Sequence, residues 1–142
     1  MSDRRRPRKT ITLDHAAGVV EKRDHALAPG RVAKQAARLR HLATLGLPAT
    51  APLDKGEGWA RYPLVEGPTL HEARPLTPEQ TSALARLLDA AQAADVYIGD
   101  MHSKNLIWAD NAWIIVDCGA VRRWNRARGE RQRARFRGVL GS

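Results

Sequence analysis

The sequence predicts one domain of the α+β class. Short segments rich in β-branched residues, which favour strands, alternate with two longer segments whose apolar residues recur at helical spacing. The predicted order is strand, strand, helix, strand, helix, hairpin and a basic C-terminal segment, without an internal repeat. With 142 residues, the chain is long enough to bury one hydrophobic core.

Local patterns predict the first strands and the first helix. Residues 10–13 and 18–22 are rich in β-branched residues and lie close together in the chain, which predicts a hairpin. A helix is expected over 30–45, because apolar residues recur every three or four positions and Gly46 provides a C-terminal stop. Residues 59–65 combine aromatic and β-branched side chains, and they predict the next strand.

A second helix and a hairpin follow. The helix is expected over 77–94, where Thr77 is suited to cap the first turn and Pro78 fits the first helical position. Residues 105–108 and 112–116 are short apolar runs joined by a turn sequence, Ala-Asp-Asn. This arrangement is typical of a β-hairpin.

Composition excludes several classes of protein. With 43% hydrophobic and 27% charged residues, the chain is neither collagen-like, nor of low complexity, nor wholly disordered. Its one cysteine, Cys118, excludes an intramolecular disulfide framework and a Cys-built zinc site, and suits a reducing compartment. No apolar run approaches the roughly 18 residues that a membrane helix needs, and the arginine-rich start lacks the apolar stretch of a secretory signal. We therefore expect a cytoplasmic protein without a transmembrane segment.

Basic residues are concentrated at the two ends of the chain. The formal net charge is +9, yet five bases lie within residues 1–10 and eight arginines lie within 122–137. The segment between them is slightly acidic, which is unlike a uniformly basic nucleic-acid-binding protein. We expect a flexible basic arm over 1–9, a folded domain over 10–121 and an Arg-rich helix or tail over 122–142. The Arg-rich segment is a candidate contact for an acidic or nucleic-acid partner.

Three polar residues adjoin the predicted hairpin, where strands give way to loops. Asp100 and Asn105 lie in the loop that precedes it, and Asp117 follows its second strand. Asp and Asn are also common in turns for conformational reasons alone. Their order around the hairpin, with His102 and Gly119 nearby, favours a functional site.

These residues carry a resemblance to a known superfamily. The run Asp-Met-His-Ser-Lys-Asn from Asp100 to Asn105, followed by a hairpin and Asp117-Cys118-Gly119, resembles the catalytic core of the protein-kinase-like superfamily. The closest likeness is to the aminoglycoside and choline phosphotransferases and to the bacterial lipopolysaccharide kinases. The resemblance implies a compact two-lobed fold, with a reduced small lobe and hinge over 10–65 and a truncated catalytic lobe over 66–121.

The resemblance also assigns roles to individual residues. Asp100 would accept or orient the proton of an acceptor hydroxyl, and His102 would stiffen the loop. Asn105 and Asp117 would bind Mg²⁺ and, through it, the phosphates of ATP. These roles suit phosphoryl transfer, because that reaction depends mainly on the positioning of the reactants and on neutralisation of the phosphate charge.

Earlier segments extend the resemblance to the nucleotide. Lys22, in the second predicted strand, would pair with the phosphates of ATP, and backbone groups near Leu64 and Val65 would hold the adenine. The implied activity is ATP- and Mg²⁺-dependent transfer of the γ-phosphate to an unknown hydroxyl acceptor, either a small molecule or a protein.

Two departures from the family pattern keep other functions open. Gln35 stands where the family has a glutamate that pairs with the strand lysine, and Gly18 is the only glycine in the first predicted turn. These departures favour a catalytically weak pseudokinase or nucleotide-binding scaffold that docks an acidic partner through its basic ends. A nucleic-acid-binding module led by the Arg-rich segment is a third possibility, and it would show steeply salt-dependent binding.

Overall fold

A computed structural model describes residues 10–140, and the fold belongs to the α+β class as the sequence predicts. The strands are β1 (Thr10–Asp14), β2 (Val19–Arg23), β3 (Asp54–Gly56), β4 (Trp59–Pro63), β5 (Val96–Gly99), β6 (Leu106–Ala109), β7 (Ala112–Ile115) and β8 (Ala120–Arg123). The helices are α1 (Arg31–Thr44), α2 (Leu70–Ala73), α3 (Pro78–Ala93), α4 (Arg126–Arg135) and α5 (Arg137–Leu140).

The N-terminal half is an antiparallel sheet covered by one helix. Its strand order is β1-β2-β4-β3, so that β1 and β3 form the two edges. Lys22 lies opposite Ala60, and Val20 lies opposite Tyr62. Helix α1 packs against β4 through its buried apolar face. Lys22 is thereby enclosed between the sheet and α1, with only 6% of its surface exposed.

The C-terminal half is built around α3. This helix starts at the capping box formed by Thr77 and Gln80, and it packs against β5 and β7. The indole N–H of Trp113 on β7 donates to the Gln80 carbonyl at 2.9 Å, which fixes the strand against the start of the helix. Two small antiparallel sheets, β5-β8 and β6-β7, complete this half.

The segment after α1 links the two halves. The amide of Ile115 on β7 donates to the Pro48 carbonyl at 2.7 Å, and the amide of Thr50 donates to the Ile115 carbonyl at 3.1 Å. One continuous cluster of buried apolar side chains runs through both halves. The positions of the N-terminal sheet and of the β6-β7 hairpin are therefore coupled.

The structure confirms the predicted helices and the β6-β7 hairpin to within about two residues at each end. Strands β3, β5 and β8 and helix α2 are additional elements, each of only three or four residues. Such segments are too short to produce a recognisable hydrophobic period.

Most of the Arg-rich C-terminal segment is helical. It forms α4 and α5, and Phe136 between them is buried in the core. The side-chain amide of Gln132 donates to the Ile98 carbonyl at 2.9 Å, so that α4 is attached to β5. The predicted basic arm over 1–9 lies outside the described residues. Within residues 10–140, no helix combines the length and the apolar character needed to cross a membrane.

Candidate functional site

The loop that carries Asp100 is closed by internal hydrogen bonds. Asp100 follows β5 with a positive φ of 56°, a conformation that is uncommon for residues other than glycine. The side-chain amide of Asn105, which is buried, donates to the Asp100 carbonyl at 2.7 Å. The backbone N–H of Asn105 donates to the backbone carbonyl of His102 at 2.9 Å. The Asp100 side chain itself is 63% exposed, so its carboxylate is accessible to a ligand.

Gly119 brings this loop against the segment that contains Asp117. Its amide donates to the Gly99 carbonyl at 2.8 Å, next to the β5-β8 pairing. A Cβ atom at position 119 would lie 2.7 Å from the Cβ of Asp100, closer than two carbon atoms can approach. Glycine is therefore required for the close contact between the two loops.

A buried hydrogen-bonded chain joins Lys22 to Asp117 through Gln35. The Lys22 ammonium donates to the side-chain oxygen of Gln35 at 2.9 Å and to the Val116 carbonyl at 3.1 Å. The Gln35 side-chain nitrogen donates to the Asp117 carboxylate. The amide of Gln35 accepts from a cation and donates to an anion at the same time, which a carboxylate cannot do.

Two weakly acidic side chains, those of Tyr62 and Cys118, lie beside these hydrogen bonds. Burial raises the pKa of the Tyr62 phenol to about 12, and the negative charge of Asp117 adds to the effect. Burial and the Asp117 charge likewise raise the pKa of the Cys118 thiol to about 11. Both groups therefore remain protonated at neutral pH.

An apolar cleft opens above Lys22. It has a volume of about 260 Å³, and its walls include Ile11 and Leu13 of β1, Val20 of β2 and Ile107 of β6. Ile11 and Leu13 are among the largely exposed apolar side chains of the described chain. A cleft lined in this way provides apolar walls for a planar ring.

The predicted adenine-binding segment lies at the edge of the same cleft. Both Leu64 and Val65 line it. The Leu64 amide N–H already donates to the Gly18 carbonyl at 2.8 Å. The Val65 amide N–H makes no hydrogen bond to any residue within 10–140. Of these two backbone donors, the one at Val65 is therefore available to a ligand.

The polar end of the cleft carries the predicted metal ligands. Lys22, Lys104, Asn105 and Asp117 all line it. Because the side-chain nitrogen of Asn105 bonds the Asp100 carbonyl, its side-chain oxygen is left as a potential ligand. In the described part of the chain, no group of three or more His, Cys, Asp or Glu side chains is placed to hold a metal ion. Mg²⁺ does not need such a group, since it binds through one or two protein oxygens together with waters and substrate phosphates. The donor set of Asn105 and Asp117 fits a Mg²⁺ that arrives with a nucleotide.

A second cavity also borders Asp117, and the sequence does not predict it. Its volume is about 520 Å³, and Asp100 lines it together with three basic side chains of α1. Those side chains are Arg31, Lys34 and Arg38. Their spacing of three and four residues marks them as one helical face, but nothing local indicates that this face lies beside Asp100.

The structure thus gathers the predicted site residues around Asp117. Lys22, Leu64, Val65 and Asn105 lie around the apolar cleft, whereas Asp100 lies in the second cavity. No known protein-family model matches the sequence, and no curated protein matches it. The geometry of this site is therefore the basis for a proposed function.

Proposed function

We propose that the chain is an ATP- and Mg²⁺-dependent phosphotransferase with a compact, two-lobed, kinase-like fold. The observation that carries the proposal is the convergence of a buried lysine and an Asn–Asp oxygen pair at one apolar cleft, with the accessible Asp100 in the adjoining second cavity. A cytoplasmic location, with its supply of ATP and its reducing conditions, suits this activity and the single thiol.

The cleft suggests how ATP is oriented. The adenine lies between Ile11 and Leu13 on one side and Ile107 on the other, and its edge accepts a hydrogen bond from the Val65 amide. The phosphates extend to the polar end, where the Lys22 ammonium neutralises part of their charge. Asn105 and Asp117 would hold a Mg²⁺ ion, which would neutralise more of that charge.

Transfer then needs one proton acceptor and one leaving group. The oxygen of the acceptor hydroxyl forms a bond to the γ-phosphorus, and its proton passes to the Asp100 carboxylate. The bond between the γ-phosphorus and the bridging oxygen breaks, and its electron pair leaves with ADP. Nε2 of His102 lies 3.6 Å from a carboxylate oxygen of Asp100, a contact that restricts the rotation of the carboxylate.

A nucleotide-binding scaffold without turnover is the second candidate. Gln35 favours the scaffold, because its side chain forms hydrogen bonds with both Lys22 and Asp117. A lysine bonded to a neutral amide keeps its full charge for phosphate, but Asp117 must exchange or share its bond with Gln35 when it binds a metal. Such a scaffold would bind Mg·ATP and dock an acidic partner through its basic ends without releasing ADP.

The first test measures nucleotide binding. Isothermal titration with ATP, with and without Mg²⁺, should give tighter binding with the metal in the unmodified protein. Asp117→Asn should remove the Mg²⁺-dependent part, because a carboxylate facing a triphosphate needs a cation between them. Asp110→Asn is the matched control, since Asp110 is an exposed residue of the β6-β7 turn. Equal Mg²⁺ dependence in all three proteins would contradict the metal assignment.

The second test separates transfer from binding. Slow release of ADP, with water as the acceptor, should be lost in Asp100→Asn while the affinity for Mg·ATP is retained. Loss of turnover alone identifies Asp100 as the proton acceptor. Tight Mg·ATP binding with no ADP release in the unmodified protein would select the scaffold. Absence of any nucleotide binding would overturn both candidates.

A further inference from the structure

The second cavity has a different chemistry from the apolar cleft. Three cationic side chains of α1 and the carboxylates of Asp100 and Asp117 line it, together with Gln35, Cys118 and Gly119. Among residues 10–140, Asp117 is the only residue that lines both spaces. The two spaces are therefore neighbours that share one residue, Asp117.

The basic side chains of α1 are directed into this cavity by the packing of the helix. Gln35 and Leu39 occupy the buried side of α1, so that Lys34 and Arg38 are left at its margin. The side chains of Lys34 and Arg38 form no ion pair or hydrogen bond with a described residue, although two carboxylates line the same cavity. With Arg31, these side chains give the cavity an excess of positive charge.

From this arrangement we infer that the phosphate acceptor is an anionic compound, with a phosphate or carboxylate group close to its reacting hydroxyl. The inference rests on the proposed function and names its substrate class. Asp100 lines the basic cavity and not the apolar cleft, so a hydroxyl that reaches Asp100 enters through the basic cavity. Lys34 and Arg38 then bind the anionic group, since a guanidinium matches both carboxylate and phosphate. A cationic acceptor is disfavoured there by repulsion between like charges.

The cavity volume agrees with a small ligand. At about 520 Å³, it lies within the range of about 300–1,000 Å³ that is typical of small-molecule sites. A phosphorylated or acidic hydroxy compound fits such a space with its anionic group at α1 and its hydroxyl at Asp100.

To test this inference, simple ions are added to the protein after it has been saturated with Mg·ADP, and their binding is measured. Inorganic phosphate and acetate represent the two anionic groups, and choline represents a cationic acceptor. Binding is followed by the chemical shifts of backbone amides in α1 and at Gly119. We expect phosphate, acetate or both to shift these amides, and choline to leave them unchanged.

Charge-removing variants identify the binding side chains. The double variant Lys34→Gln, Arg38→Gln should weaken anion binding about tenfold, as expected for loss of a charge-assisted hydrogen bond. The control Arg40→Gln, Lys55→Gln removes the same charges from exposed positions outside this cavity, and it should bind the anions like the unmodified protein.

Three outcomes would overturn the inference: no anion binding, equal weakening in both double variants, or choline binding in place of the anions. Its failure is distinct from failure of the proposed function, because Mg·ADP binding is measured in the same samples. If Mg·ADP binds and the anions do not, the nucleotide site stands and the acceptor assignment falls.

Discussion

Gln35 is the residue whose role changes most between sequence and structure. From the sequence, it is a neutral substitute for a glutamate that would pair with Lys22. In the structure, its amide also donates to Asp117, a residue that lies 82 positions away in the chain. Its neutrality is thus a requirement of this site, since the same side chain must satisfy a cation and an anion.

The variant Gln35→Glu tests this role. A carboxylate there still accepts from Lys22 but cannot donate to Asp117, and it places two negative charges in contact. We expect the free energy of unfolding to fall by about 1–3 kcal/mol at neutral pH, as for a buried group that loses its partner. The loss should shrink below about pH 5, where protonation of the new carboxyl restores a donor. Urea unfolding at several pH values measures both effects.

The nearly isosteric variant Gln35→Met provides the control, because it removes the amide without adding charge. Its destabilisation should be independent of pH between about 4 and 8. If Gln35→Glu matched the unmodified protein at neutral pH, the hydrogen bond from Gln35 to Asp117 would be absent in solution.

At the level of elements, the site depends on two short loops that contact each other at Gly119. The variant Gly119→Ala would place a methyl group 2.7 Å from the Cβ of Asp100. We expect a loss of about 1–3 kcal/mol in the free energy of unfolding, as for overpacking of a tight contact. ADP release should fall as well, because Asp100 must move. Gly138→Ala is the control, since a Cβ there meets no atom within 4 Å; an equal loss in both variants would contradict the contact.

The elements predicted from the sequence are those that leave a local signal. Helix α3 has a capping box and an apolar face, and the β6-β7 hairpin has its turn residues Asp110 and Asn111, both with positive φ. The β5-β8 pairing joins Val96 to Arg123 and has no such signal, because β8 is short and half of its residues are arginines. Its formation depends on contacts between distant parts of the chain.

The candidate site likewise has one part with a local signal in the sequence and one part that depends on tertiary packing. The order of Asp100, Asn105 and Asp117 in the sequence is enough to nominate them, and in the structure they adjoin the ends of β5, β6 and β7, with Asp117 lining both cavities. The basic cavity could not be predicted in this way. Its cations come from α1, and only the tertiary packing of α1 against the rest of the site brings Lys34 and Arg38 beside Asp100.

At the scale of the whole molecule, the basic C-terminal segment is part of the fold. Several of its arginines form ion pairs with acidic residues, such as Arg123 with Asp95 and Arg133 with Asp89. These pairs are largely exposed, and such pairs contribute little to stability. Attachment of the segment therefore depends on its buried contacts, which are Phe136 in the core and the hydrogen bond from Gln132 to the Ile98 carbonyl.

The variant Phe136→Ala tests this attachment. Removal of a buried aromatic side chain should lower the free energy of unfolding by about 3–5 kcal/mol. Leu53→Ala removes an apolar side chain that is 63% exposed, and it should change the free energy by less than about 0.5 kcal/mol. Chemical denaturation followed by tryptophan fluorescence measures both. A small effect at Phe136 would mean that its side chain does not pack into the core in solution.

Strand β1 has a consequence for the behaviour of the protein at high concentration. It is an edge strand, and Ile11 and Leu13, which face the cleft, are each more than half exposed. An unpaired strand edge beside exposed apolar side chains is a template for association between copies of a chain. In the proposed binding mode, a nucleotide would cover these side chains, so that its binding would improve colloidal solubility as well as conformational stability. Under that proposal, preparations without nucleotide would be the most prone to self-association, and the association would begin at this strand.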